Sequence, residues 1–270
     1  MTFMKTQITL FVLLVSTVPL VAHEFWLRPE KLNVAAGATV PLRIERGEDF
    51  KGDVRPFSTA RVAALRHYSV AGVVDLIARV PAALEVEALP FALQQPGTHL
   101  IALDSTVSKI TLSPDKFLSY LNADGLEYVD AARKAAKTDT EPGRERYLRC
   151  VKTLVRVGGV SDATYATRTG QRLEIVPTTD PLAAKPGDRL AFDVIFDGKA
   201  VEGGLVRAWY HRDGNLVVIK GRTTAAGRIA LDLPYAGVWM ISLVHMIPIA
   251  SEPDYDWESY WGNLTFELNP

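Results

Sequence analysis

Trp239-Met240-Ile241-Ser242-Leu243-Val244-His245-Met246 is the stretch on which the fold turns. Successive side chains of a strand point to opposite faces, so Trp239, Ile241, Leu243 and His245 share one face. Val238, Met240, Val244 and Met246 take the other. The pattern reads as a central strand, and Pro248 ends its pairing. Six more strands are expected around it, at 173–176, 189–196, 205–211, 216–220, 228–233 and 263–268. Turn residues separate them, at Lys185-Pro186-Gly187-Asp188, Phe196-Asp197-Gly198, Arg212-Asp213-Gly214 and Tyr235-Ala236-Gly237. Seven strands in about 100 residues is the count of an immunoglobulin-like or transthyretin-like sandwich.

The residues before 158 give shorter runs of the same kind. His23 to Leu27 and Val40 to Ile44 alternate, and further runs fall at 60–68, 73–80, 84–92 and 99–103. The exception is 113–149. Ser113-Pro114-Asp115 has an N-cap residue followed by Pro at the first helical position. Phe117, Tyr120 and Leu121 follow at helical spacing. A second helix is expected from Leu126 to Lys137. The chain is therefore expected to be mainly β, with two β-sandwich domains. The N-terminal domain covers 23–157 with a helical insertion near 113–149. A linker follows at 158–170, and the immunoglobulin- or transthyretin-like sandwich covers 171–270.

Composition narrows the function. Of 270 residues, 48% are hydrophobic and 23% charged, as in a folded globular protein. Lys plus Arg number 30 against 31 Asp plus Glu, which lacks the basic excess of a nucleic-acid binder. The single cysteine, Cys150, excludes an intrachain disulfide and any cysteine-cluster metal site. Residues 1–22 carry Lys5, an apolar run from Ile8 to Val15, and Ala22. That is the layout of a secretory signal peptide, so a periplasmic or secreted protein, soluble after cleavage, is expected. Cleavage after Ala22 makes His23 the first residue. A terminal His offers the α-amine and the imidazole together, donors that Ni, Cu and Zn prefer.

Of the other histidines, His245 is the most pointed, because it continues an apolar face at a strand end and a polar ring there needs a partner. A core histidine bonded to a backbone carbonyl is the competing reading. His99 begins a strand near a sheet end. His211 lies beside a turn and reads as exposed, and nothing suggests a partner for His67. The segment Glu252 to Trp261 is expected as a loop. Its Asp256 and Glu258 are candidate metal ligands, and its aromatics are candidate stacking platforms. There is no Gly-x-Ser-x-Gly elbow, Walker loop or dinucleotide fingerprint.

Several of these stretches together resemble one family. They are His23-Glu24-Phe25-Trp26-Leu27, Phe117 with Tyr120-Leu121 and Gly125-Leu126, and Gly143-Arg144-Glu145-Arg146-Tyr147 with Lys152-Thr153-Leu154. To these add Leu173-Glu174-Ile175-Val176-Pro177 with Asp180-Pro181, Gly237-Val238-Trp239 with Val244-His245-Met246, and Asp256-Trp257-Glu258-Ser259-Tyr260-Trp261. The chain resembles a bacterial domain-of-unknown-function family labelled as the periplasmic component of cobalt or nickel uptake. Within that resemblance the terminal His falls on His23 and the strand-end His on His245. Cys150 stands where an aromatic residue is expected. The resemblance implies binding of nickel, cobalt or copper in support of uptake or homeostasis, with a membrane transporter component as partner. The expected ligands are His23 and His245, completed by His99, Asp256 or Glu258. Two alternatives are a copper-dependent oxidative enzyme with a histidine-brace-like site and a metal-free adhesion or assembly module.

Overall fold

A computed structural model describes residues 23–250 and 252–270, so the expected signal segment 1–22 lies outside the described residues. A ten-stranded sheet forms the middle layer. Its main path runs Asn215–Arg222, Leu205–Arg212, Gly237–Pro248, Trp257–Leu268, Gly143–Val157, Gly97–Ser105, Val62–Ser69 and Gly72–Asp75. Asn33–Val34 and Ser108–Leu112 also pair with Gly143–Val157. Gly143–Val157 and Trp257–Leu268 lie parallel, in register from Glu145 opposite Trp257 to Thr153 opposite Thr265. The sheet thus runs without a break from one half of the chain into the other.

The alternation in Gly237–Pro248 sets the layers. Trp239, Ile241 and Leu243 pack with Ile175, Phe192, Val194 and Leu231. Those partners belong to a four-stranded sheet of Leu173–Pro177, Arg189–Phe196, Lys199–Ala200 and Arg228–Asp232. Met240 faces the other way, into a cluster with Trp26, Phe50 and Trp209. Val244 and Met246 follow it, against Phe117, Tyr120, Leu121 and Val129. This second face carries the other four-stranded sheet, of Glu24–Pro29, Ala38–Glu48, Lys51–Arg55 and Ala88–Leu93, together with the helices. The mainly β architecture with sheets packed face to face is the expected one.

The helices run Pro114–Ala123 and Glu127–Ala136, with Pro114 at the start of the first and Lys137 left-handed (φ 58°) after the second. Both lie where Ser113-Pro114 and the apolar spacing place them. The free edge of Gly237–Pro248 beyond Ser242 meets the second helix. There the Tyr128 hydroxyl accepts from the Met246 N–H (2.9 Å) and donates to the Met246 carbonyl (2.8 Å). The first helix comes so close to the sheet that a Cβ on Gly143 would stand 2.2 Å from the Phe117 ring. Gly143→Ala must therefore displace a fully buried Phe117. It is expected to cost about 1–3 kcal/mol in urea unfolding, the usual penalty for overpacking.

Several segments differ from expectation. Ser108–Leu112 is an added strand, Ile77–Arg79 is a 3-10 turn within the run expected at 73–80, and the strand from Gly143 enters the expected helical insertion. Lys51–Arg55 forms a hairpin arm after a turn with positive φ at Asp49 and Phe50. Trp257–Leu268 begins six residues before the strand expected at 263–268, so the aromatic segment is strand from Trp257 onward. Its acidic Glu258 is buried between arginines, which hides the alternation of Trp257, Ser259 and Trp261.

Candidate functional site

The strand Glu24–Pro29 starts at the end of a sheet, with Glu24 opposite Gly47. That register puts His23 beside Glu48, and its Nε2 lies 3.6 Å from Glu48 Oε1. Both side chains are exposed. Glu24 points the opposite way and is buried against the ten-stranded sheet, where it accepts from Ser242 Oγ (3.2 Å). Ser242 in turn accepts from Trp209 Nε1 (2.8 Å). Burial raises the Glu24 carboxyl to about 7, against the pull of Arg207 and with a push from Asp124.

A short way along the same face, Arg207 pairs with Asp124 at the end of the first helix. Glu145 accepts from Tyr120 (3.2 Å) and from Ser259, and Ser259 also accepts from Trp261 Nε1 (3.1 Å). Burial pushes Glu145 up to about 7 as well. The first strand, the first helix and the middle sheet thus enclose three carboxyl groups in a polar seam.

The expected metal ligands are spread across the molecule. His245 lies on the face opposite Ser242, with its ring 4.5 Å from that of Phe196 and its pKa lowered by burial against the charge of Asp197. His23 belongs to the strand laid on the Ser242 face. His23 and His245 are thus held on opposite faces of one sheet, and the shared chelate expected of them is corrected. The cause is the two-residue period itself, which turns residues 242 and 245 apart.

His99 is buried and fully engaged. Its Nε2 lies 2.9 Å from the Gln95 carbonyl, which only accepts, so this nitrogen carries the proton. Its Nδ1 then accepts from His67 Nε2 at 2.7 Å. Burial, followed by the influence of His99, lowers His67 to about 4, so His67 stays neutral at pH 7. Asp256 is held by Arg144 through Nε (2.9 Å) and Nη2 (2.5 Å), and this arginine keeps its carboxyl below the usual range. Glu258 is taken up by Arg146, Arg172 (3.1 Å) and the Tyr260 hydroxyl. Both carboxylates are thus engaged by arginines. Among the described residues no group of three or more His, Cys, Asp or Glu side chains is arranged to hold a metal. Cys150 is buried, and burial pushes its thiol up to about 12, far from a reactive thiolate.

The structure brings forward one histidine that its sequence position left bland. His211 Nε2 lies 2.6 Å from the carbonyl of Asp49, so that nitrogen donates. Its Nδ1 lone pair is buried without a partner among the described residues. His211 and His23 therefore abut consecutive residues, Asp49 and Glu48, of one hairpin. No local motif announces this, because the contact spans 162 positions of sequence.

A family model described as "Domain of unknown function (DUF4198)" matches residues 20–247. No curated protein matches the chain. Among solved structures it is similar to a tetra-tandem repeat in the extending region of a large adhesion protein, with a TM-score of 0.23 and 12% identity. That alignment covers 92% of this chain and 50% of the other, so the chain spans half that protein's length. It is also similar to a Salmonella alpha-2-macroglobulin mutant, with a TM-score of 0.21, 12% identity, and 93% and 15% of the two chains covered.

Proposed function

The chain belongs to the domain-of-unknown-function family DUF4198, and from that premise we propose that it is an exported protein binding a divalent transition metal. Nickel, cobalt or copper is held at the processed N-terminus, in support of uptake or homeostasis, and is passed to a membrane transporter component. The observation that carries this reading is the exposed His23 beside the Glu48 carboxylate. Cleavage after Ala22 would add the α-amine to that pair, giving two nitrogens and an oxygen from two residues. The unpartnered Nδ1 of His211 fits the same chemistry. Metal-bound imidazoles commonly donate their second N–H to a carbonyl, as His211 does to Asp49.

Calorimetry on protein beginning at His23, with nickel and copper, tests the proposal. Binding of one ion is expected, and affinity falls with falling pH as the ligands take up protons. An added N-terminal Met, which displaces the amine from His23, should weaken binding at least roughly tenfold, about 1.4 kcal/mol. Glu48→Gln and His211→Ala should weaken it by less. His245→Ala, on the far face of the sheet, should leave it unchanged. Equal affinity with and without the added Met would rule the site out.

A further inference from the structure

We propose that a pocket between the N-terminal sheet and the middle sheet binds a small doubly charged oxyanion through Arg46, Arg55 and Arg149. The pocket has a volume of about 170 Å³ and is also lined by Phe25, Tyr147 and Ser108. Arg46 and Arg55 belong to the same hairpin as Glu48, but the pocket uses none of the side chains proposed for metal, and nothing in its chemistry depends on that reading.

Strand register builds the pocket. Phe25 stands opposite Arg46, and Ile44 opposite Arg55, so Arg46 and Arg55 share one face of the first sheet. Arg149 rises from the middle sheet beneath them. Its guanidinium lies between two rings, 5.1 Å from that of Phe25 and 4.8 Å from that of Tyr147. Arg149 is only 8% exposed. The Nε atoms of all three arginines are buried without a hydrogen-bond partner, and among the described residues none of the three forms an ion pair. Asp53 faces Arg46 across the hairpin but stays exposed and makes no ion pair. Arg61 also lines the pocket, but it is taken up by Glu85 at 2.6 Å.

Buried charges are normally paired, because an unpaired ion gives up its hydration for nothing. Here only Arg149 is buried, without an ion-pair partner among the described residues, and the part-exposed Arg46 and Arg55 converge on the same cavity. Burial lowers the Arg149 pKa, with Tyr147 and Glu24 opposing it and the charge of Arg46 adding to it. An anion in the cavity removes that conflict. Guanidinium forks match pairs of oxygens, which favours an oxyanion over a halide. The hydroxyls of Tyr147 and Ser108 supply further donors. The pocket is compact, at about 170 Å³, which suits a small ion. Tetrahedral phosphate or sulfate and a planar short dicarboxylate share this chemistry.

The test uses the metal-free chain from His23, in chelator, at fixed ionic strength set with chloride. Millimolar phosphate, sulfate or malonate is added, and thermal unfolding and calorimetry are read. At least one dianion is expected to raise Tm above the chloride control, and the stronger of the tetrahedral and planar ions identifies the ligand. Arg46→Gln combined with Arg55→Gln should weaken that binding at least roughly tenfold. Both side chains are half-exposed, so this variant folds even if Arg149→Met does not. Arg189→Gln, on the far sheet, should bind like the parent. No stabilisation and no heat with any of the three anions would overturn the proposal, as would undiminished binding in the double variant.

Discussion

Near about pH 8, Glu145→Gln is expected to be more stable than the parent by about 3 kcal/mol. Glu145 is 2% exposed, and burial raises its carboxyl from 4.5 to about 7. An acid raised in this way stabilises the fold fully below its unfolded value. That contribution is lost as pH rises through the folded value. The parent therefore gives up the difference between 4.5 and about 7, where the unfolded chain has already ionised and the folded chain resists. Glutamine never ionises, and its carbonyl can still accept from Tyr120 and Ser259, as Glu145 does. The two proteins should converge near the unfolded value of 4.5 and separate above it. His67 slopes the other way, since its pKa falls from 6.5 to about 4, but it is common to both and cancels from the difference. Urea unfolding at the two pH values reads the effect directly. A variant less stable than the parent at the higher pH would show that the carboxylate ion, not the acid, is the form the seam requires.

The faces of the central strand were legible because every side chain from Trp239 to Met246 is apolar or small except His245, and the two-residue period does the rest. The helices were legible because Ser113-Pro114 fixes a start and Phe117, Tyr120 and Leu121 fix a face. Lys51–Arg55 was not, since all but Arg55 of its residues are exposed and no apolar alternation records a strand. The beginning of Trp257–Leu268 was hidden by Glu258, whose charge is matched by Arg146 and Arg172 from distant positions. Periodicity assigns faces within a strand but says nothing of its neighbours. The parallel pairing of Glu145–Thr153 with Trp257–Thr265 therefore had no local signature. The same gap explains the candidate site. His245 was correctly seen at the end of an apolar face, yet the face on which the first strand would lie was not written in either segment. Arg46, Arg55 and Arg149 come together through register alone, and the partner of His99 is a histidine 32 positions away.

Glu174→Gln is expected to cost about 3–5 kcal/mol, whereas Lys152→Met should leave stability close to that of the parent or above it. The two side chains form an ion pair, 3.5 Å apart and each only 1% exposed, so a symmetric loss is the naive expectation. Their surroundings make it asymmetric. Glu174 also accepts from Arg168 Nε (3.1 Å), Thr169 N (2.7 Å), Thr169 Oγ1 (3.0 Å) and Gly170 N (3.3 Å). Burial works to raise its carboxyl, but Lys152 and these donors outweigh it, and the pKa ends below the usual value. Among the described residues Lys152 has Glu174 as its one ion-pair partner, and burial lowers its ammonium to about 8. Removing Glu174 strands a buried ammonium and releases the 168–170 segment that its carboxylate ties to the strand Leu173–Pro177. Removing Lys152 leaves Glu174 with Arg168 and three more donors, and takes away a charge the interior disfavours. The pH dependence separates the two effects. A lysine whose folded pKa lies below its unfolded value of 10.5 makes stability rise as pH climbs from about 8 toward that value. The parent should show that rise and Lys152→Met should lack it. Equal losses from the two substitutions at neutral pH would mean that the pair acts as a unit, and that the donors around Glu174 do not sustain it alone.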